Sequence, residues 1–168
     1  IHFGSPDFYP FNETIENAFA SSSNLVVETN TLSKDFQQVA LKMQLAGMIE
    51  GEQTLKDIIS EELYNKTEAR FKSFGMPFEP FTMYKPWMIT MVLVSFQFQS
   101  LGYAHDAGVD IYFMKKAMKN NQEILEIEDP LTTINVLDSI DGELFLGYTL
   151  LEMETMDQYA EKLMTVWK

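Results

Sequence analysis

The chain has no cysteine among its 168 residues. Disulfides, thiolate zinc sites, iron–sulfur clusters and a thiol nucleophile are therefore excluded. Histidine is also scarce, at 2, so any metal must rest on those imidazoles and on carboxylates. Positive charge is short as well: 12 Lys and Arg stand against 25 Asp and Glu, a formal charge of −13. That balance argues against nucleic acid or an anionic membrane surface as the main partner. No long hydrophobic run is present. The longest, Met88 to Phe96, is interrupted by Thr90 and Ser95 and falls far short of the roughly 18 residues of a membrane span. Apolar residues make up 46% and charged residues 22%, which excludes intrinsic disorder and gives ample material for a core. The length points to a single domain. The first residue is Ile1 rather than Met, and the chain reads as a piece of something longer.

Three short segments, Ile1–Phe3, Asn24–Glu28 and Glu123–Glu128, read as strands: compact, rich in aliphatic residues and bounded by turn signals. Most of the remainder reads as helix. Asn12 is placed to cap a helix through Ala20, and Ser33 a longer one through Ile49, which Gly51 breaks. Thr54 to Ile59 is a short turn, and a helix opening at Ser60 runs to about Phe74 and stops at Gly75. Pro86 suits the first turn of a helix to about Leu101. Asp106–Lys119, Thr132–Ile140 and Glu143–Trp167 complete the series. The expectation is an α/β fold: a small parallel sheet with a large helical lobe over residues 33–122, helix-rich overall.

The strand ends carry the chemistry. His2 lies in the first, Glu28 closes the second and Glu128 closes the third. Ligands of open α/β sheets gather at the carboxyl ends of parallel strands. One imidazole and two carboxylates suit a divalent cation, or an acid–base pair around a water. Solvated carboxylates with no further role are the alternative, and these residues alone do not decide between them. His105, in the turn Gly102-Tyr103-Ala104-His105, reads as a solvated residue before a helix. Asp110 reads as a favourable first-turn charge. The 11 methionines read mostly as gap-filling core, with a flexible apolar groove for peptides as the sharper alternative.

A series of short motifs runs through the chain in order. Ile1-His2-Phe3-Gly4 leads to Tyr9-Pro10. Leu25-Val26-Val27-Glu28, Gly51-Glu52-Gln53-Thr54-Leu55-Lys56-Asp57 and Lys85-Pro86-Trp87 follow. Leu101-Gly102-Tyr103, Gly108-Val109-Asp110 and Ile127-Glu128 complete it. Together they resemble the TraB/GumN (TIKI-like) family, over almost the whole length. The resemblance implies an erythromycin-esterase/ChaN-like fold and a metal-dependent hydrolase, most simply a peptidase acting on peptides or secreted proteins. It favours an exported or membrane-associated location. It places His2, Glu28 and Glu128 around the active site as ligands of Zn, Mn, Fe or Co, with Glu28 and Glu128 catalytic and Asp110 at a motif position of less defined role. The family carries a second Gly-x-x-His motif in a C-terminal half, so residues 1–168 read as a single domain truncated at both ends with an incomplete metal site. The letters Gly102-Tyr103-Ala104-His105 align elsewhere and are a coincidence of spelling. Two other functions stand beside the hydrolase: a non-catalytic module binding a peptide or apolar ligand, and a fragment that forms a homo-oligomer through an unpaired sheet edge.

Overall fold

The computed structural model describes residues 2–167, without the side chains of residues 157, 158, 160, 161 and 163–167. Ile1, with which the first expected strand begins, lies outside them, as do the side chains of Leu163 and Trp167 on the last helix.

Helix α1 (Glu13–Ser21) starts where Asn12 Oδ1 accepts the Ile15 N–H at 3.1 Å. It leads into strand β1 (Asn24–Val27). Helix α2 (Phe36–Ala46) follows, then α3 (Leu55–Ile58) and α4 (Glu61–Ser73). Helix α5 (Pro86–Ser100) and α6 (Val109–Lys119) precede strand β2 (Glu123–Glu126). Helices α7 (Pro130–Ser139) and α8 (Gly142–Trp167) end the chain. Short 3-10 turns occupy Pro6–Phe8, Glu79–Phe81 and His105–Ala107.

Local chemistry sets most of these boundaries. The Thr54 N–H and hydroxyl both donate to the Asp57 carboxylate, each at 2.8 Å, closing the first turn of α3. Ser60 caps α4, and Gly75, at φ +72, lies just past its end. Asn121, at φ +55, turns the chain from α6 into β2, a conformation asparagine tolerates better than most residues.

Strands β1 and β2 form a parallel pair with Asn24 opposite Glu123 and Val27 opposite Glu126. One face packs on α6: Leu25, Val27 and Ile124 meet Ile111 and Met114. The alternate residues Val26 and Leu125 stay exposed, as the period of two requires. The helical lobe has its own core, in which Leu55, Leu63, Phe71, Ile89, Leu93, Leu146 and Met153 are buried. It is built by α3, α4, α5 and α8, with α8 returning after β2 to pack along α5. The α/β architecture with a small parallel sheet and a helical lobe is as expected.

Some details differ. The segment from Ile1 to Phe3 was expected as a strand, yet among the described residues only β1 and β2 form the sheet. Gly4 instead makes an antiparallel bridge to Ala104, and Phe3 stacks on Phe98 at 4.9 Å. These contacts tie the segment to the end of α5 and the loop before α6, not to β1. Helix α2 ends at Ala46 rather than Ile49. There Gly47 C=O accepts the Lys85 N–H at 2.7 Å, and the Ile49 N–H donates to Met83 at 2.8 Å, pulling the backbone out of the helix. The Asp106–Lys119 stretch is divided: Gly108, at φ −65 and ψ 152, separates the 3-10 turn from α6.

Candidate functional site

His2 is delivered by an extended segment that two glycines let approach its neighbours. The Gly4 N–H donates to Ala104 at 3.0 Å and the Ala104 N–H returns a bond at 2.8 Å. A Cβ on Gly4 would lie 2.1 Å from the Ala107 carbonyl oxygen, and one on Gly108 would lie 2.5 Å from that of His2. The glycines of the Ile-His-Phe-Gly and Gly-Val-Asp motifs are therefore where two backbones meet. The Tyr9 hydroxyl donates to Ala107 at 2.7 Å, and its ring stacks on Tyr112 at 4.0 Å. Burial, then the neighbouring Tyr112 and Asp110, push the Tyr9 phenol up to about 12. Glu16 completes this anchor, accepting the Phe11 N–H at 3.0 Å, the Tyr112 hydroxyl at 2.6 Å and the Lys116 ammonium. Burial alone raises the Glu16 carboxyl; the bonds from Lys116, Tyr112 and Phe11 outweigh it and hold the group below the usual carboxylate range.

The result is a three-residue cluster. His2 Nδ1 lies 2.9 Å from Asp110 Oδ2, and His2 Nε2 lies 3.2 Å from Glu28 Oε2. Asp110 comes from the first turn of α6, and Glu28 follows directly after β1. A neutral imidazole has one N–H. Given to Asp110, that proton leaves the Nε2 lone pair facing a carboxylate oxygen, an arrangement that calls for a proton or a cation between them. Two ligands at about 2.0–2.2 Å from one zinc-like ion stand roughly 3–3.5 Å apart, and the Nε2···Oε2 separation falls in that range. A ligand histidine whose second nitrogen is held by a carboxylate is a recurrent way of fixing tautomer and ring orientation. The separation suits an ion pair between the ring and the carboxylate and equally two ligands of one ion, with Asp110 behind the ring.

Glu128 is nearby but outside this contact. Its N–H donates to the Glu28 carbonyl at 3.0 Å, and Ile127 donates to Val27 at 3.1 Å, so the parallel pairing continues past the strands. Glu28 and Glu128 lie one and two residues beyond the strands, not within them as expected. Among the described residues, no group of three or more His, Asp or Glu side chains is arranged to hold an ion.

All of these residues open on one cavity of about 530 Å³, lined at its polar end by His2, Glu28, Asp110, Glu128 and His105. That size lies within the usual range for ligand pockets, about 300–1,000 Å³. His105, expected as a solvated turn residue, is exposed but also edges against the Phe3 ring at 5.9 Å and lines the cavity beside His2. The sequence signal for this was the Gly-bounded turn 102–108, which nothing local linked to residue 2. The Asp110–His2 contact was also missed; Gly108, two residues ahead of an acidic first turn, was its trace. Most of the apolar lining comes from α2 and α5. Methionines 114 and 153 are buried core as expected, whereas Met43, Met88 and Met91 face this cavity.

No helix among the described residues is long and apolar enough to cross a membrane. No solved structure matches the chain. Two curated relatives do, each named "Uncharacterized protein YbaP", from Escherichia coli (strain K12) and Shigella flexneri. Each is 25% identical over 169 residues, covering 99% of this chain and 61% of the relative. The chain thus spans about three fifths of the length of the relatives it matches. The TraB/PrgY/gumN family model matches residues 1–168, and the chain belongs to the TraB/PrgY/gumN family.

Proposed function

We propose that this chain supplies the His–carboxylate part of a metal-dependent hydrolase site, acting on peptides or proteins. The observation that carries the reading is the His2 ring held between Asp110 at 2.9 Å and Glu28 at 3.2 Å at the mouth of a cavity. His2 Nε2 and the Glu28 carboxylate would hold the ion. A bound divalent metal supplies Lewis acidity toward a carbonyl and lowers the pKa of its water. Asp110 keeps the Nδ1 proton in place and so presents Nε2 as a lone pair. Glu128, on the same rim, is the second carboxylate, in the role of further ligand or proton acceptor. The test is metal content after purification without chelators, together with peptide hydrolysis followed by mass spectrometry. Stoichiometric Zn, Mn, Fe or Co, and activity lost in a folded Glu28→Gln variant, are expected. Absence of bound metal, or full activity in that variant, overturns the reading.

The apolar lining of the cavity favours a second reading, a non-catalytic module that sequesters a peptide or apolar ligand. On that reading Glu28→Gln leaves biological activity intact. Self-association is a separate element of the proposal. The sheet of the described residues has two strands, each with one unpaired edge, and Val26 and Ile127 are exposed at 55% and 70%. Sedimentation that returns a monomer at micromolar concentration removes it.

A further inference from the structure

The apolar half of the cavity has no role in holding an ion, yet it is continuous with the half that does. We infer that it is a specificity pocket for one long apolar side chain of the substrate, next to the bond that is cleaved. This rests on the hydrolase reading above and adds the identity of what the site selects.

The wall is made by Phe36, Val39 and Met43 of α2 and by Met88, Met91 and Val92 of α5. Helix α2 contains no fully buried residue, and its outward Leu41 and Leu45 are exposed. The inner residues Phe36, Val39 and Met43 are half-buried. Gly47 brings the end of α2 against α5: a Cβ there would lie 2.5 Å from Met88 Cε and 3.1 Å from Met88 Cβ. Three methionines on a wall give a flexible, polarisable surface that adapts to an unbranched or aromatic group rather than to one fixed shape. Thr31 adds a polar contact. Its hydroxyl oxygen is buried on the cavity lining with no hydrogen-bond partner among the described residues. An unpaired buried hydroxyl is costly, and the backbone of a bound peptide supplies the missing partner. A peptide carbonyl held by an ion on His2 and Glu28 then has its adjacent side chain within reach of the same cavity. The three carboxylates at the rim disfavour an acidic side chain at this position.

The test uses blocked pentapeptides, acetyl-Gly-Gly-X-Gly-Gly-amide, with X as norleucine, phenylalanine, alanine or aspartate. Cleavage is followed by mass spectrometry in the presence of Mn²⁺ or Zn²⁺, and binding by calorimetry. Norleucine and phenylalanine are expected to exceed alanine by at least about tenfold in cleavage and in affinity, with aspartate lowest. Met43→Trp, which fills the pocket from its α2 wall, is expected to reduce the norleucine-to-alanine ratio at least about fivefold. Val39→Trp is the second variant should the first not fold, and thermal unfolding reports folding for both. Cleavage without preference for X, or a preference that both folded variants retain, overturns the pocket while the hydrolase reading stands. Preferential binding without cleavage, lost in the variants, keeps the pocket and refutes the hydrolase reading. Neither binding nor cleavage refutes both.

Discussion

Replacing Gly108 by alanine introduces a single methyl group whose effect has a sign fixed by geometry. The backbone there, at φ −65 and ψ 152, is one that alanine adopts freely. In open space, Gly→Ala at such a position stabilises by about 0.4–1 kcal/mol, because the unfolded chain loses freedom. Here the new Cβ would lie 2.5 Å from the His2 carbonyl oxygen, 2.9 Å from its carbon and 3.1 Å from the His105 carbonyl oxygen. All three are backbone atoms, so no rotamer change relieves the overlap. The segment carrying His2 must move, held though it is by the Gly4–Ala104 bridge and the Phe3–Phe98 stack. Overpacking of this kind costs about 1–3 kcal/mol, and subtracting the unfolded-state gain leaves a net loss between about zero and about 2.6 kcal/mol. Equilibrium urea unfolding measures the loss, and the His2 ring resonances report whether the Asp110 contact is broken. Gly75→Ala is the control: nothing lies within 4 Å of its Cβ, so its cost comes only from φ +72, and the His2 resonances stay unchanged. A Gly108→Ala protein more stable than wild type, with the His2 environment intact, would refute the claim that this glycine exists to let His2 approach α6.

The other predictions concern the lobe, its link to α7, and the orienting carboxylate. Phe71, fully buried beside Phe78 and Phe81, should cost about 3–5 kcal/mol when changed to alanine, read as a lowered urea midpoint. Asp138 accepts from Lys85 Nζ at 2.6 Å and Trp87 Nε1 at 3.1 Å, tying α7 to the start of α5. The Lys85 bond chiefly holds its carboxyl below the usual value of 3.8. A depressed folded-state pKa gives stability that is present above 3.8 and lost as pH falls through the folded value. The difference in Tm between wild type and Asp138→Asn should therefore be present at neutral pH and vanish in strong acid. A difference that grows on acidification contradicts it. Asp110→Asn keeps the shape but not the charge behind His2, and metal affinity by calorimetry should fall about 10–100-fold.

The helices were largely legible because their ends are marked locally: Asn12, Ser60 and Pro86 open them, and Gly75 follows one. The two real strands were legible for the same reason, each a short aliphatic run between turns. The Ile1–Phe3 segment was misread because its composition says only that the backbone is extended. Its pairing is decided by Ala104, Phe98 and Gly108, about a hundred residues away, and no local pattern encodes that. His2, Glu28 and Glu128 were singled out from their positions at strand ends; the structure sets all three on one cavity, with His2 brought there by a bridge rather than a strand. His105 escaped as a cavity residue, and the sequence did not tell which methionines line the groove and which fill the core. An exposed turn and an amphipathic helix look alike in sequence whether they face solvent or a pocket.

The central claim is that His2 and Glu28 together bind a divalent cation. Calorimetric titration of Zn²⁺ or Mn²⁺ into the wild-type chain, His2→Ala and Glu28→Gln tests it most directly. One ion bound per wild-type chain, with affinity reduced at least about tenfold in each folded variant, is the predicted result. Equal affinity in all three, or no saturable binding to the wild type, contradicts the account.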